Sequence, residues 1–148
     1  MNTHDAPGPD HAPGPAHTAG PDHFAHLATA GRATQAEVMR VPEEAVRSEP
    51  GSLSDLATKV VFGDLWNRPG LSVRERRIIT LTVLAMLQSH QIHGHLHVKA
   101  ALDSGDLTEA ELREVAVQIA YYAGWPVATS FEWTVDKATG KTSGVEDL

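Results

Sequence analysis

The chain has 148 residues, with 12 lysines and arginines against 19 aspartates and glutamates, so its formal net charge is −7. This acidic balance argues against a surface for nucleic acid or anionic membranes, because either partner selects a clustered basic patch. The absence of cysteine excludes disulfides, thiol redox chemistry and thiolate metal sites. Small molecules or other protein chains are the expected partners, and a chain of this length is expected to form one domain.

The first 25 residues are built largely from Pro, Gly, Ala, His and Asp, with repeated Pro-Gly and Gly-Pro steps. Such a segment breaks helices and strands and offers no apolar set to bury, so residues 1–25 are predicted to be a disordered arm. The arm lacks the basic start and apolar stretch of a secretory signal, and no apolar run in the chain approaches the ~20 residues that span a bilayer. The expected location is the cytoplasm.

Helical periodicity begins at His26, and no segment alternates in the way that indicates a strand. The first helix is predicted over 34–47, with Pro42 as an interruption. The second is predicted to begin after Ser52, whose hydroxyl is a favoured N-cap, and to end at the sequence NRPG.

The third and fourth helices are predicted from their end signals. Ser72 is followed three residues later by Glu75, a capping box that precedes the apolar run IITLTVLAML. So apolar a helix is expected to be buried on nearly all sides. The fourth helix is predicted to start from a cap at Ser89 and to stop at Gly105.

The fifth helix is predicted to begin at a second capping box, made by Thr108 and Glu111, and to end at Gly124. The side chains expected to line one face of it are Leu112, Val115, Ile119 and Tyr122. Pro126 stands at the first-turn position that proline favours and predicts the start of the sixth helix.

Together these signals predict an all-α bundle of about six helices over residues 26–141, followed by a frayed tail at 142–148. Six short helices in so small a chain are expected to leave apolar faces exposed. A homo-oligomer is therefore expected.

Several sequence pieces occur in a characteristic order between residues 31 and 140: FGDLWNRPGL, RERRIITLTVLAML, LHVKAAL and LTEAELREVAVQIAYYAGWPVA. The most specific are the cluster from Gly63 to Gly70 and the turn from Tyr122 to Pro126. In this order and spacing they resemble the carboxymuconolactone decarboxylase family, within the larger group of alkylhydroperoxidase-like helical proteins. The resemblance implies a helical bundle that assembles as a trimer or hexamer.

The resemblance also implies one of two chemistries. The peroxidase-like branch carries two cysteines and a histidine where this chain has His90, His93 and His97, so a thiol peroxidase is excluded. The decarboxylase-like branch carries an acidic residue at position 93, where this chain departs from it, and a histidine matching His97. The implied activity is that of a lyase or isomerase on a small, carboxylated, conjugated substrate, lactone or aromatic-like.

Helix geometry groups these histidines. At about 100° per residue, His90, His93 and His97 lie at roughly 0°, 300° and 340°, whereas His95 lies near 140°. The first three are therefore expected to share a face directed toward the interior or a pocket within it, and His95 is expected to be solvated.

These histidines suit proton transfer, because an imidazole titrates near neutral pH and a cluster favours the neutral base. His97, His93 and His90 are the candidate catalytic residues. Either Arg68 or Arg77 is a candidate for holding the substrate carboxylate, and the aromatic residues expected to wall the pocket are Trp66, Tyr122 and Trp125, with Tyr121 as a further candidate. The alternative is that the arginines are structural and that the aromatics form core or subunit interface.

Two further hypotheses remain open. His93 and His97, four residues apart, could bind a zinc-like divalent ion if Glu75, Glu132 or a neighbouring subunit supplied a third ligand. His90 lies roughly 10 Å along the axis from His97, which is too far for one ion. The leading expectation is an enzyme without a cofactor, and the third hypothesis is a non-catalytic scaffold for ligand binding or assembly.

Overall fold

The computed structural model describes residues 23–88 and 93–141. Within these ranges six α-helices form and no β-strand, which confirms the all-α prediction. The helices are α1 (Ala28–Met39), α2 (Leu53–Ala57), α3 (Val73–Met86), α4 (His95–Ser104), α5 (Glu109–Ala123) and α6 (Trp125–Thr139). Nearly all of the predicted arm, the predicted tail, the Ser89 cap and His90 lie outside the described residues. None of the described helices is both long and apolar enough to cross a membrane.

The predicted bounds of the first helix were wrong at both ends. A 3-10 turn at Ala25–Leu27 leads directly into α1, which carries no side-chain N-cap and so gave no start signal in the sequence. The helix ends at Arg40, whose φ of 54° is left-handed. Pro42 then fixes an extended conformation, and the segment after it forms only a 3-10 turn.

A π-helical turn, Thr58–Phe62, continues α2 and leads to a 3-10 turn at Leu65–Asn67. Helix α1 crosses the π-helical turn in direct backbone contact at two glycines. A Cβ added at Gly31 would lie 2.1 Å from the Thr58 carbonyl oxygen, and one at Gly63 would lie 2.8 Å from the carbonyl oxygen of Leu27, the N-cap residue of α1. This close approach brings together a small apolar cluster, formed by Val38, Phe62 and Trp66.

The larger apolar cluster lies between α3, α4, α5 and α6. Its most completely buried members include Leu81, Val98, Leu112, Phe131 and Val135. Both predicted capping boxes are confirmed, at Ser72 with Glu75 and at Thr108 with Glu111. Gly105 closes α4 with a φ of 74°, and Pro126 occupies the first turn of α6, as predicted.

Helix α3 is not buried on nearly all sides, so that prediction was wrong. Ile79, Val83 and Met86 are each about half exposed, because the packing partners of α3 within the chain cover only one side of it. Tyr122, predicted on the same face of α5 as the buried Leu112, lies in the last turn of that helix and is 84% exposed.

Candidate functional site

The histidine segment enters α4 through a π-helical conformation at His93 and Gly94. A π-helix bonds residue i to i+5, so the α-helical spacing used to predict a common face does not hold between positions 93 and 97. In the structure His93 is exposed and His97 is partly buried. His95 is partly buried as well, with a buried Nδ1 atom, so the prediction that it is solvated was wrong.

His97 lies against the indole ring of Trp66. The two ring centroids are 6.3 Å apart and the planes differ by 10°, which is a stacked arrangement. The Nδ1 atom of His97 is buried and has no hydrogen-bond partner within the described part of the chain. Burial, the largest cause, and the nearby charges of Arg77 and His93 together lower the pKa of His97 to about 4. The imidazole is therefore neutral at pH 7 and keeps unused hydrogen-bonding capacity.

Trp66 is the centre of this group. It is 6% exposed and stacks on Phe62 at a centroid distance of 6.4 Å as well as on His97. The guanidinium carbon of Arg77 lies 5.8 Å from the centroid of the Trp66 ring, within the range of a cation–π contact. The indole ring of Trp66 thus contacts both the neutral imidazole of His97 and the guanidinium of Arg77.

Arg77 is 1% exposed, although it carries a permanent charge. Its Nε donates to Oδ2 of Asp106 at 2.8 Å, and its Nη2 donates to the Val38 carbonyl oxygen at 2.8 Å. Its Nη1 is buried and finds no partner among the described residues. A buried donor left without a partner carries a desolvation cost, and a ligand that accepts from it would offset that cost.

A cavity of about 250 Å³ opens beside this arginine. Trp66, Arg77 and Asp106 line it, and Thr34, Glu37 and Ser104 contribute polar side chains. Its size suits a small polar ligand, since pockets for drug-sized ligands start at roughly 300 Å³.

The structure therefore brings together His97, Trp66 and Arg77, and it places four other predicted residues elsewhere. Arg68 is exposed and makes a loose ion pair with Asp64 at 3.7 Å. Tyr122 and Trp125 are 84% and 72% exposed around the junction of α5 and α6, and Tyr121 beside them is 80% exposed. All three aromatics are surface residues of the isolated chain.

Sequence reasoning missed Asp106 and Val38, the two partners of Arg77. An acidic residue directly after the helix-ending Gly105 was a visible signal for Asp106, although nothing tied it to Arg77, which lies 29 positions away. The contact with Val38 uses a backbone oxygen, and no sequence pattern marks it.

Within residues 23–88 and 93–141, no group of three or more histidine, aspartate and glutamate side chains is arranged to hold a metal ion. The two glutamates considered as additional ligands have other partners. Glu75 accepts from the backbone N–H of Ser72 at 2.7 Å, and Glu132 lies 3.4 Å from Arg113.

Comparison with known proteins identifies the family of this chain. Residues 52–136 match the model of the carboxymuconolactone decarboxylase family. Over 79 residues the chain is 34% identical to nitrosuccinic acid decarboxylase of Metarhizium robertsii, covering 53% of this chain and 52% of that protein. Over 73 residues it is 30% identical to 4-carboxymuconolactone decarboxylase of Acinetobacter baylyi, covering 49% and 53%.

The chain spans about half the length of the curated relatives it matches. The family match covers more than half of the chain and includes Trp66, Arg77 and His97. The chain belongs to the carboxymuconolactone decarboxylase family.

Proposed function

We propose that this protein is a carbon–carbon lyase of the decarboxylase type, acting on a small, carboxylated, conjugated substrate without a cofactor. One observation carries the proposal: Nη1 of Arg77 and Nδ1 of His97 are both buried and unpartnered within the described chain, and both side chains lie against the Trp66 ring. The names of two relatives, both decarboxylases of organic acids, support the reaction class.

Arg77 is the proposed anchor for the substrate carboxylate. Asp106 and the Val38 carbonyl hold two of its nitrogen atoms in place, which leaves Nη1 to donate to an incoming carboxylate. Hydrogen bonds between a guanidinium and a carboxylate are short and strong because both groups are charged. The buried position strengthens this attraction further, since little water screens it.

His97 is the proposed proton donor. In decarboxylation the bond between carbon and the carboxylate breaks, CO₂ leaves, and the electron pair moves into the conjugated carbonyl to form an enolate. A proton must then reach carbon. An anionic substrate that neutralises Arg77 removes one cause of the low pKa of His97, and its own charge favours the protonated imidazole. Substrate binding would thus favour the protonated form of His97, which then donates its proton to the substrate carbon.

His93 is the proposed link to solvent. It is exposed, and it lies close enough to His97 for its charge to lower the pKa of His97. An imidazole in this position can take a proton from water and pass it inward. It replaces the acidic residue that the resemblance led us to expect at position 93.

Substitution of His97 tests the proposal against the alternatives of a metal site and a non-catalytic scaffold. Unsaturated lactone acids and nitro-substituted diacids are assayed for CO₂ release by the wild type, His97→Gln and Arg77→Lys. We expect His97→Gln to lower kcat by about 100- to 10,000-fold, the usual contribution of a positioned acid or base. Arg77→Lys keeps the charge but loses the planar fork, so KM is expected to rise.

The matched control is His95→Gln, on the same turn of α4, which is expected to keep kcat within about twofold, as a substitution away from the reacting atoms. Decarboxylation that His97→Gln leaves unchanged would contradict the proposal. A stoichiometric divalent ion that chelation removes together with activity would favour the metal-dependent alternative built on His93 and His97.

We also propose that the chain works as a homo-oligomer, a trimer or hexamer. The exposed apolar side chains of α3 and those at the α5–α6 junction would supply the contacts between copies; they include Ile79, Val83, Met86, Tyr121, Tyr122 and Trp125. Burial of aromatic side chains is a main source of interface energy, which supports this arrangement.

A further inference from the structure

A second concave region lies in the segment between the 3-10 turn at Leu65–Asn67 and the start of α3. It is a groove of about 650 Å³, formed by the loop from Gly63 to Leu71 and by Arg76. Its charged side chains are Arg68, Arg76 and Asp64. The proposed decarboxylase site uses none of these three residues.

Arg76 is only 9% exposed, yet no carboxylate pairs with it in the described part of the chain. Its Nη2 donates to the Arg68 carbonyl oxygen at 2.7 Å, and its Nε is buried without a partner. The neighbouring Glu75 is held by Ser72 in the capping box. A buried guanidinium is costly unless it is paired and fully hydrogen-bonded, and within the described residues Arg76 has no ion pair and its Nε has no acceptor.

The rest of the groove adds a second cation. Arg68 is 62% exposed in its side chain, and its only ion pair in the described chain is the 3.7 Å contact with Asp64. Two guanidiniums and one carboxylate therefore line the groove, so its lining carries a net positive charge. A Cβ placed at Gly70 would meet nothing within 4 Å, so the loop leaves open space beside these cations.

This groove is separate from the cavity beside Arg77. Arg76 and Arg77 are consecutive on α3, so their side chains leave the helix about 100° apart. Asn67 lines both cavities and lies between them. Its amide nitrogen donates to the Phe62 carbonyl oxygen at 2.7 Å, which fixes this dividing side chain in place.

We infer that the groove is a binding site for a small anionic group, a carboxylate or a phosphate, held by Nε of Arg76 and the guanidinium of Arg68. The anion would supply the acceptor that Nε of Arg76 lacks and a second negative charge beside that of Asp64. A guanidinium suits both anions, because its donors match the spacing of their oxygen atoms. This inference does not depend on the proposed function.

The test is a titration of the full chain with inorganic phosphate, and separately with acetate, followed through the Nε–H signals of its arginines in nuclear magnetic resonance spectra. We expect the Arg76 signal to shift and saturate at millimolar phosphate, while the Arg77 signal, whose Nε is already bonded to Asp106, shifts less. Comparing phosphate with acetate tells which anion the groove prefers. A saturable shift with either one supports the site.

Arg68→Gln removes one cation from an exposed position, so this variant is expected to fold normally. It should weaken anion binding about tenfold, equal to about 1.4 kcal/mol. The matched control is Arg74→Gln, an equal charge change at an exposed residue of α3 that pairs with Glu111 outside the groove; binding should stay within about twofold of the wild type, since rim charges far from the ligand contribute little.

Three results would overturn the inference. The first is an Arg76 signal that does not move with either anion. The second is equal weakening in Arg68→Gln and Arg74→Gln, which would reduce the effect to overall charge. The third is a saturable shift at Arg77 in place of Arg76, which would assign the anion to the other cavity.

Discussion

The two apolar clusters of this protein differ in what surrounds them. The larger cluster, between α3 and α6, is built from aliphatic side chains and Phe131, and every member lies at or after Leu81. The smaller cluster of Val38, Phe62 and Trp66 lies in the earlier part of the chain. All buried charged side chains of the described residues belong to that earlier part: Asp55, Lys59, Arg76 and Arg77.

This difference indicates that the larger cluster mainly stabilises the fold, whereas the earlier part of the chain holds the charged groups suited to binding a ligand. An apolar cluster stabilises through volume and contact, and it tolerates exchange among side chains of similar size. A buried charge costs free energy, most of all where a partner is missing, but it offers a fixed charge to a ligand. Among the described residues, the two buried arginine nitrogens without a partner, on Arg76 and Arg77, both lie in this earlier part.

The largest expected effect is in the larger cluster. Phe131→Ala removes a side chain that is 1% exposed and should lower the free energy of unfolding by about 3–5 kcal/mol, through lost transfer energy and an unfilled cavity. This loss in the free energy of unfolding is measured by urea denaturation. Lys137→Ala, at an exposed position of the same helix, is the control and should stay within about 0.5 kcal/mol. Equal losses in both variants would contradict the assignment of this cluster as the main support of the fold.

A smaller effect should appear at His97, as a dependence of stability on pH. The pKa of His97 is lowered in the folded state from 6.5 to about 4, so the unfolded chain binds the proton first as the pH falls. The contribution of His97 is therefore fully present above pH 6.5 and is lost progressively toward pH 4. The loss amounts to at most about 3 kcal/mol, from 1.36 kcal/mol for each unit of pKa.

The measurement is the free energy of unfolding at several pH values for the wild type and for His97→Gln. The wild type should lose more stability than the variant across this window, and His26→Gln, at an exposed position, should keep the slope of the wild type. Parallel curves for all three proteins would show that His97 is not desolvated by its place beside Trp66.

The smallest expected effect is the loss of stability when the N-terminal cap of α3 or of α5 is removed. Ser72→Ala and Thr108→Ala each remove one capping box, the first beside the groove and the second beside the larger cluster. Each should cost about 1 kcal/mol, because capping is a local interaction that does not depend on the surrounding core. Thermal unfolding of both variants measures the costs, and a cost several times larger at one position would show that this cap also supports tertiary contacts.

Local signals predicted the helices well where the interacting residues are close in sequence. The capping boxes, Gly105 and Pro126 were all read correctly, since each acts within one turn of backbone. The start of α1 was missed because no side chain caps it. The exposure of Ile79 and Tyr122 was missed because periodicity shows which face is apolar but not whether a partner covers it.

At the candidate site too, the sequence predicted local features better than contacts between distant residues. Trp66, Arg77 and His97 were singled out from the resemblance and from spacing, and the structure places them together. The π-helical conformation at His93 and Gly94 has no sequence signature, and it changes which histidines face inward. The pairing of Arg77 with Asp106 joins distant parts of the chain, so only the tertiary fold reveals it.

The direct contact between α1 and the π-helical turn has a consequence for anyone who wishes to redesign this protein. At Gly31 and Gly63 even one added methyl group would overlap a backbone oxygen, so neither position can vary without driving the two segments apart. Random libraries should leave both codons fixed. Libraries of substitutions around Trp66 will then test the binding of new ligands by folded proteins, because fewer of the variants will be unfolded.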